Sequence, residues 1–218
     1  MGLLVSEAFG KVKARTLETK GCGTRLPVNG CKTEMREQMA TPQVGVHITD
    51  PQAYRNRLFA LVGEREPLNV MAESADKMDE IVRKYPAAVL RARPFEGKWT
   101  PNEVLGHLTD SEWVYGYRLR LILCEENPTI LGMDQNLWVT GQRHNEREPA
   151  AHAEMFRRMR EYNLAVWRQA TPEDMKRTGK HNERGPETFG LMLRMLAGHD
   201  LSHLEQCHRY IQAAEKTR

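Results

Sequence analysis

The sequence predicts an all-α fold, a four-helix bundle with long inter-helix loops. Three observations predict it. Apolar residues recur every three to four positions over long stretches beyond residue 50. Those stretches open on capping residues and prolines and close on glycine or proline. No segment alternates with the two-residue period of a half-buried strand.

Asp50-Pro51 starts a short first helix, because an N-cap carboxylate precedes a proline whose missing N–H costs nothing there. Gly63 stops it. A second helix starts near Glu66-Pro67, with an inner stripe of Met71, Ala75, Met78, Val82 and Tyr85, and ends at Pro86. Thr100-Pro101-Asn102-Glu103 is a capping box with proline at the first helical position, so a long helix runs from 100 to about 126. Residues 127–148 form a long connection, of the kind that is functional or mobile in compact domains. The next helix begins near Pro149 with Met155, Met159, Tyr162 and Val166 as its stripe. Residues 171–187 read as a polar loop, and a last helix spans about 188–214. Four long helices with this spacing imply a bundle, and the two long loops permit an order other than simple up-and-down.

The chain of 218 residues divides into an N-terminal extension, 1–48, and a helical domain, 49–218. The extension carries the net charge. Residues 1–46 hold seven Lys/Arg and four Asp/Glu, a surplus of +3 that equals the formal charge of the whole chain. Those residues carry six of the 16 glycines and no helical or strand period, so they read as poorly ordered, with Met35 and Met39 as alternative starts. The domain is neutral, which disfavours a nucleic-acid partner. No apolar run is long enough for a membrane span, and the start lacks the pattern of a signal peptide. Gly2 and Ser6 match only the short acylation pattern. Cys22, Cys31, Cys124 and Cys207 form no framework of paired spacings and read as reduced thiols of a cytoplasmic protein.

Two predicted inner stripes are interrupted by polar residues. The stripe Val104, His107, Ser111, Val114, Arg118, Leu121 contains an imidazole and a guanidinium. The stripe Met192, Met195, His199, His203, Gln206, Tyr210 contains two imidazoles one helical turn apart. An i,i+4 pair can chelate one ion, and His107 from a facing helix would complete a three-histidine site with open positions. Asp200 leaves the helix about 100° from His199 and reads as the acceptor of an imidazole N–H. Arg118, three turns beyond His107 on the same face, is a candidate grip for a carboxylate or a member of a structural ion pair. Cys207 reads as a buried apolar thiol, with metal ligation as the alternative. His144, His152, His181 and His208 read as surface or peripheral residues, and His47 lies at the domain edge.

From about residue 53 to 214 the chain resembles the DinB/YfiT-like superfamily. The resemblance rests on Arg93-Pro94 with Gly97-Lys98-Trp99-Thr100, on Glu103-Val104-Leu105-Gly106-His107-Leu108, and on Tyr117-Arg118. Asp134-Gln135 with Trp138, and Ala197-Gly198-His199-Asp200-Leu201-Ser202-His203-Leu204 with Gln206, complete it. It implies a four-helix bundle whose second and fourth helices hold a divalent metal through His107, His199 and His203. Nickel, zinc and manganese are all compatible with that donor set. It also implies a homodimer and, for some members, S-transfer or isomerisation with a low-molecular-weight thiol.

Two reaction classes follow for a small-molecule substrate: thiol-dependent S-transfer or isomerisation, and metal-dependent hydrolysis. Arg118 and Gln135 are candidates for binding the substrate or thiol, and Arg118 and Asp200 are the catalytic candidates. Asp134, Gln135 and Trp138 lie in a loop able to cover the site. A non-catalytic stress or scaffold bundle is the third reading. A fourth protein ligand from Asp200, Gln206 or Cys207 would favour it by closing the coordination sphere.

Overall fold

The structure, a computed structural model, describes residues 50–216. The extension read over 1–48, with Gly2, Ser6, Cys22, Cys31 and His47, lies outside the described residues.

Helix α1 is Pro51–Val62 and α2 is Pro67–Lys84. A short α3, Ala87–Leu90, follows Pro86. Helix α4, Pro101–Cys124, opens on the predicted capping box: Thr100 Oγ1 accepts from Glu103 N at 3.1 Å, and Thr100 N donates to Glu103 Oε2 at 2.7 Å. The 127–148 connection contains β1, Thr129–Ile130, and α5, Gln135–Gly141. Helix α6 is Pro149–Gln169. The 171–187 segment holds β2, Thr178–His181, and β3 begins at its end, Gly185–Thr188. Helix α7 is Phe189–Lys216.

The strands correct the expectation of a strand-free chain. β1 pairs in parallel with β2, setting Ile130 against His181, and β2 pairs antiparallel with β3. Their sequences, Thr-Ile, Thr-Gly-Lys-His and Gly-Pro-Glu-Thr, are too short and polar to show a period. Gly185, at φ +79°, supplies the left-handed turn between β2 and β3. This small sheet ties together the two long connections.

Helices α2 and α4 each pack on both α6 and α7, so helices successive in the chain are not always neighbours. Helix α1 lies against α7. The apolar core has two parts. One gathers Met78, Ile81, Leu105, Leu108, Phe156, Leu204 and Ile211. The other gathers Met71, Leu119, Ile122, Leu164, Trp167, Phe189 and Met192. Each long helix also carries buried polar residues near the junction of the two parts: Ser74 on α2, His107 and Glu112 on α4, Arg160 and Asn163 on α6, His199 and Asp200 on α7. The bundle therefore has two apolar ends and a polar waist.

Helix α6 corrects a second expectation. Met155 and Tyr162 are exposed, and the buried face is Ala153, Phe156, Arg160, Asn163, Leu164 and Trp167. The predicted stripe was one residue, or about 100°, off. The cause is the waist: the true inner face carries Arg160 and Asn163, whose polarity is answered inside the fold. Arg160 donates to Glu112 Oε2 at 2.8 Å, to Asp200 Oδ2 at 2.6 Å and to the Met71 carbonyl at 2.7 Å. One guanidinium on α6 thus reaches α2, α4 and α7.

Candidate metal centre

His107 projects from α4 into the waist, while His199 and His203 stand one turn apart on α7. Nitrogen atoms of the three imidazoles lie within 4.8 Å of one another. The His107 and His199 Nε2 atoms are 3.1 Å apart. Ring centroids are separated by 5.1 Å for His107–His199, 4.6 Å for His107–His203 and 4.3 Å for His199–His203. Trp99, in the segment ahead of α4, walls the group: its ring lies 4.9 Å from that of His107 and stacks 6.3 Å from that of His203.

Burial holds all three imidazoles neutral. His107 and His199 are pushed well below the ordinary histidine value by loss of solvent and then by neighbouring imidazoles. His203 is lowered to about 4, chiefly by burial. Neutral imidazoles carry the lone pairs a metal requires. The His203 tautomer is set by Gln206: Nδ1–H donates to Gln206 Oε1 at 2.8 Å, which leaves Nε2 with its lone pair. Three uncharged nitrogen donors at this separation, two buried and one partly so, fit a divalent ion of the nickel, zinc or manganese type.

The other site candidates fall out as follows. Asp200 does not accept from an imidazole; its carboxylate faces Arg160 at 2.6 Å, because its azimuth carries it toward α6. Gln206, rather than Asp200, serves the triad. Arg118 is buried, and its Nη2 donates to the Leu131 carbonyl at 2.6 Å. Asp134 N-caps α5 through Asn136 N and Leu137 N, both at 3.0 Å. Gln135, partly buried, is the first residue of that helix. Trp138 packs on Trp113, with centroids 6.1 Å apart. Cys207 is fully buried and burial raises its thiol to about 12, so it belongs to the apolar core.

Three histidines read as surface residues are buried: His144, His152 and His181. His144 Nε2 meets Asp110 Oδ2 at 2.7 Å, and the His144 carbonyl accepts from Asn102 Nδ2 at 2.9 Å. His152 Nε2 reaches the same carbonyl at 3.2 Å. These contacts fasten the end of the 127–148 connection to α4, and solvation of that polar loop was the wrong assumption. His208 is exposed, as expected. Glu112 and Arg160 carried no sequence signal of a role in the waist, because each is neutralised by a partner remote in sequence.

A four-helix bundle with a three-histidine cluster at its waist defines a class of proteins built to be able to hold a metal ion. The sequence profile of the DinB superfamily matches residues 71–207, and the chain belongs to that superfamily. A relative from Oceanobacillus iheyensis, provisionally named a metal-dependent hydrolase, is 32% identical over 108 residues, or 50% of this chain and 62% of the relative. The chain thus spans less than two thirds of that relative's length. A second from the same organism, with the same provisional name, is 26% identical over 180 residues, 83% of this chain and 91% of the relative. YfiT of Bacillus subtilis, also so named, is 26% identical over 132 residues, covering 55% and 74%. Its solved structure, described as an unusual four-helix bundle, shares the fold at a TM-score of 0.59 and 23% identity, over 67% of this chain and 86% of that one. No helix among the described residues is long and apolar enough to cross a membrane.

Proposed function

We propose that this chain is a divalent-metal enzyme that hydrolyses a small molecule, with His107, His199 and His203 as the metal ligands. The observation that carries the reading is the convergence of three neutral imidazoles from two helices, His107 and His199 buried and His203 partly so. When bound, a divalent ion in such a set supplies Lewis-acid chemistry, lowering the pKa of an added nucleophile and polarising an acceptor oxygen. The protein's part is to position and to exclude. Gln206 keeps the His203 lone pair turned inward, and Trp99 shields one side from water. Asp200 is held away by Arg160, so it acts through the helix that carries His199 and not as a base. The provisional names of the relatives support hydrolysis.

One observation favours thiol-dependent S-transfer or isomerisation as the second reading. Among the described residues the cluster of metal-capable donors contains only histidines, and the carboxylate next to His199 in the chain, Asp200, is engaged by Arg160. A thiol, with an ordinary pKa of about 8.5, gives up its proton far more readily than water does.

The test is metal content after purification without chelator, followed by turnover assays. Wild type carries about one equivalent of divalent metal, and His107→Ala and His199→Ala carry none. Gln206→Leu folds but binds the ion about 10–100-fold more weakly. Metal-free wild type whose melting temperature is unmoved by added nickel or zinc sinks the proposal. With metal present, ester and amide substrates turned over without thiol identify the hydrolase. Turnover of an electrophilic aryl substrate only when thiol is added identifies the transferase, and turnover in neither assay identifies a structural metal.

A further inference from the structure

Beyond the triad, the waist holds a second group of buried donors that the metal reading does not use. Arg118 is 5% exposed. Its Nη2 is satisfied by the Leu131 carbonyl, but its Nε–H has no acceptor among the described residues. No carboxylate among them lies within ion-pair distance of it either: Glu187, the buried carboxylate nearby, is taken by Arg184 through bonds of 2.6 and 3.1 Å. His181 is 1% exposed. Its Nδ1 accepts from Glu183 N at 3.1 Å, so the proton of the neutral ring sits on Nε2, and that N–H also has no acceptor.

These two orphaned donors are neighbours. Ile130 is the strand partner of His181, and Arg118 bonds the carbonyl of the next residue, Leu131. The Arg118 charge is felt at the His181 imidazole and also at His199 of the triad. Tyr115 lines the place: the Arg118 guanidinium carbon lies 5.3 Å from the centre of its ring. A buried cation without an anion, beside a buried N–H without an acceptor, is costly unless an acceptor of opposite charge arrives.

We propose that Arg118 and His181 form an oxyanion-binding subsite, and that the substrate of the three-histidine centre is a carboxylate-bearing molecule anchored there. The planar guanidinium fork suits one carboxylate oxygen pair, and the His181 N–H adds a donor that is neutral and so discriminates by geometry. Arg118 and His107 are eleven residues apart on α4, about 16 Å along the axis, a span shortened by the lean of side chains toward the helix N-terminus. The carboxylate would thus lie remote from the reacting centre, where its binding orients the substrate. The assignment of a substrate rests on the metal-enzyme reading; the binding of an anion does not.

The test uses the full chain, freed of metal with chelator, and acetate as probe against chloride at equal ionic strength. At acetate tenfold above its dissociation constant, wild type melts about 3–6 °C higher than in chloride. His181→Gln and Arg118→Gln lose that difference. Equal melting in acetate and chloride for wild type overturns the proposal, as does a full acetate shift in His181→Gln together with Arg118→Lys or Arg118→Gln. If Arg118→Gln does not fold, wild type and His181→Gln decide alone. Metal content of the same preparations, measured before chelator is added, separates the two readings. An acetate shift in a chain that never binds metal leaves the anion subsite standing and removes the enzyme reading. Metal binding without the acetate shift does the reverse.

Discussion

His152 shows how a single buried imidazole ties stability to pH. Its N–H serves the His144 carbonyl, and burial lowers its pKa to about 4. In the unfolded chain the same ring takes up a proton near pH 6.5. Between those two values the unfolded state binds a proton that the native state refuses. Folding stability therefore falls as pH drops from 6.5 toward 4 and is fully present above 6.5. At pH 5 the contribution lost by His152 alone is about 2 kcal/mol. His181 and His203, both lowered to about 4, act in the same direction. Urea unfolding of the metal-free protein at pH 7 and pH 5 measures the sum. His152→Gln keeps an amide donor for the carbonyl but does not titrate, so its loss between the two pH values should be smaller by about 2 kcal/mol. Equal losses in variant and wild type would show that His152 is not held neutral.

Helix α7 lies close against α1 at Gly198, the residue before His199. A Cβ at Gly198 would stand 2.4 Å from the Leu58 carbonyl oxygen and 2.8 Å from its carbon, both backbone atoms. Neither can turn aside, so Gly198→Ala must push α1 off α7, at a cost of about 1–3 kcal/mol or more. His199 is the next residue, so metal affinity should fall with stability. Gly141, at the end of α5, has nothing within 4 Å of the same position. Gly141→Ala should change stability by no more than about 0.5 kcal/mol. Chemical denaturation of the pair settles the point, and equal small effects would contradict the close approach. Caps and stripes made most of this architecture legible beforehand. The Asp50-Pro51 start, the Gly63 stop, the Thr100 capping box and the α2 stripe are all local chemistry, visible without a partner. The triad was legible for the same reason: two imidazoles one turn apart, and a third, broke otherwise apolar stripes. The α6 face was not, because hydrophobic period cannot see that Arg160 is neutralised by Glu112 and Asp200, 48 and 40 residues away. The short strands and the burial of His144 and His181 were hidden likewise, since their partners belong to other segments.

The waist ties the four long helices of the bundle together, and Arg160 is where that can be measured. Its guanidinium meets carboxylates of α4 and α7 and a carbonyl of α2 while it sits on α6, so all four long helices converge on it. Arg160 and both carboxylates are essentially inaccessible to water. Burial raises Asp200 above the ordinary carboxylate value even though Arg160 opposes the rise, a sign of how little solvent reaches the group. Such a network is weak as a source of net stability, because desolvation offsets most of the attraction. It is strong as a constraint, because removing one member strands the others. Arg160→Met leaves two buried carboxylates facing each other and should cost about 3–5 kcal/mol. Arg160→Lys keeps the charge but cannot bridge three helices from one compact ammonium, so it should recover only part of that loss. The decisive variant removes the charges together. Arg160→Met with Glu112→Leu and Asp200→Leu, which replaces the network by apolar volume, should be more stable than Arg160→Met alone by several kcal/mol in urea unfolding. If the triple variant is the less stable of the two, the carboxylates stabilise the fold through partners other than Arg160, such as Asn163, whose Nδ2 donates to Glu112 Oε1 at 2.8 Å. If instead it unfolds at higher urea than Arg160→Met but loses the sharp single transition, the network's role is to fix the relative placement of α4 and α7, and with it the separation of His107 from His199.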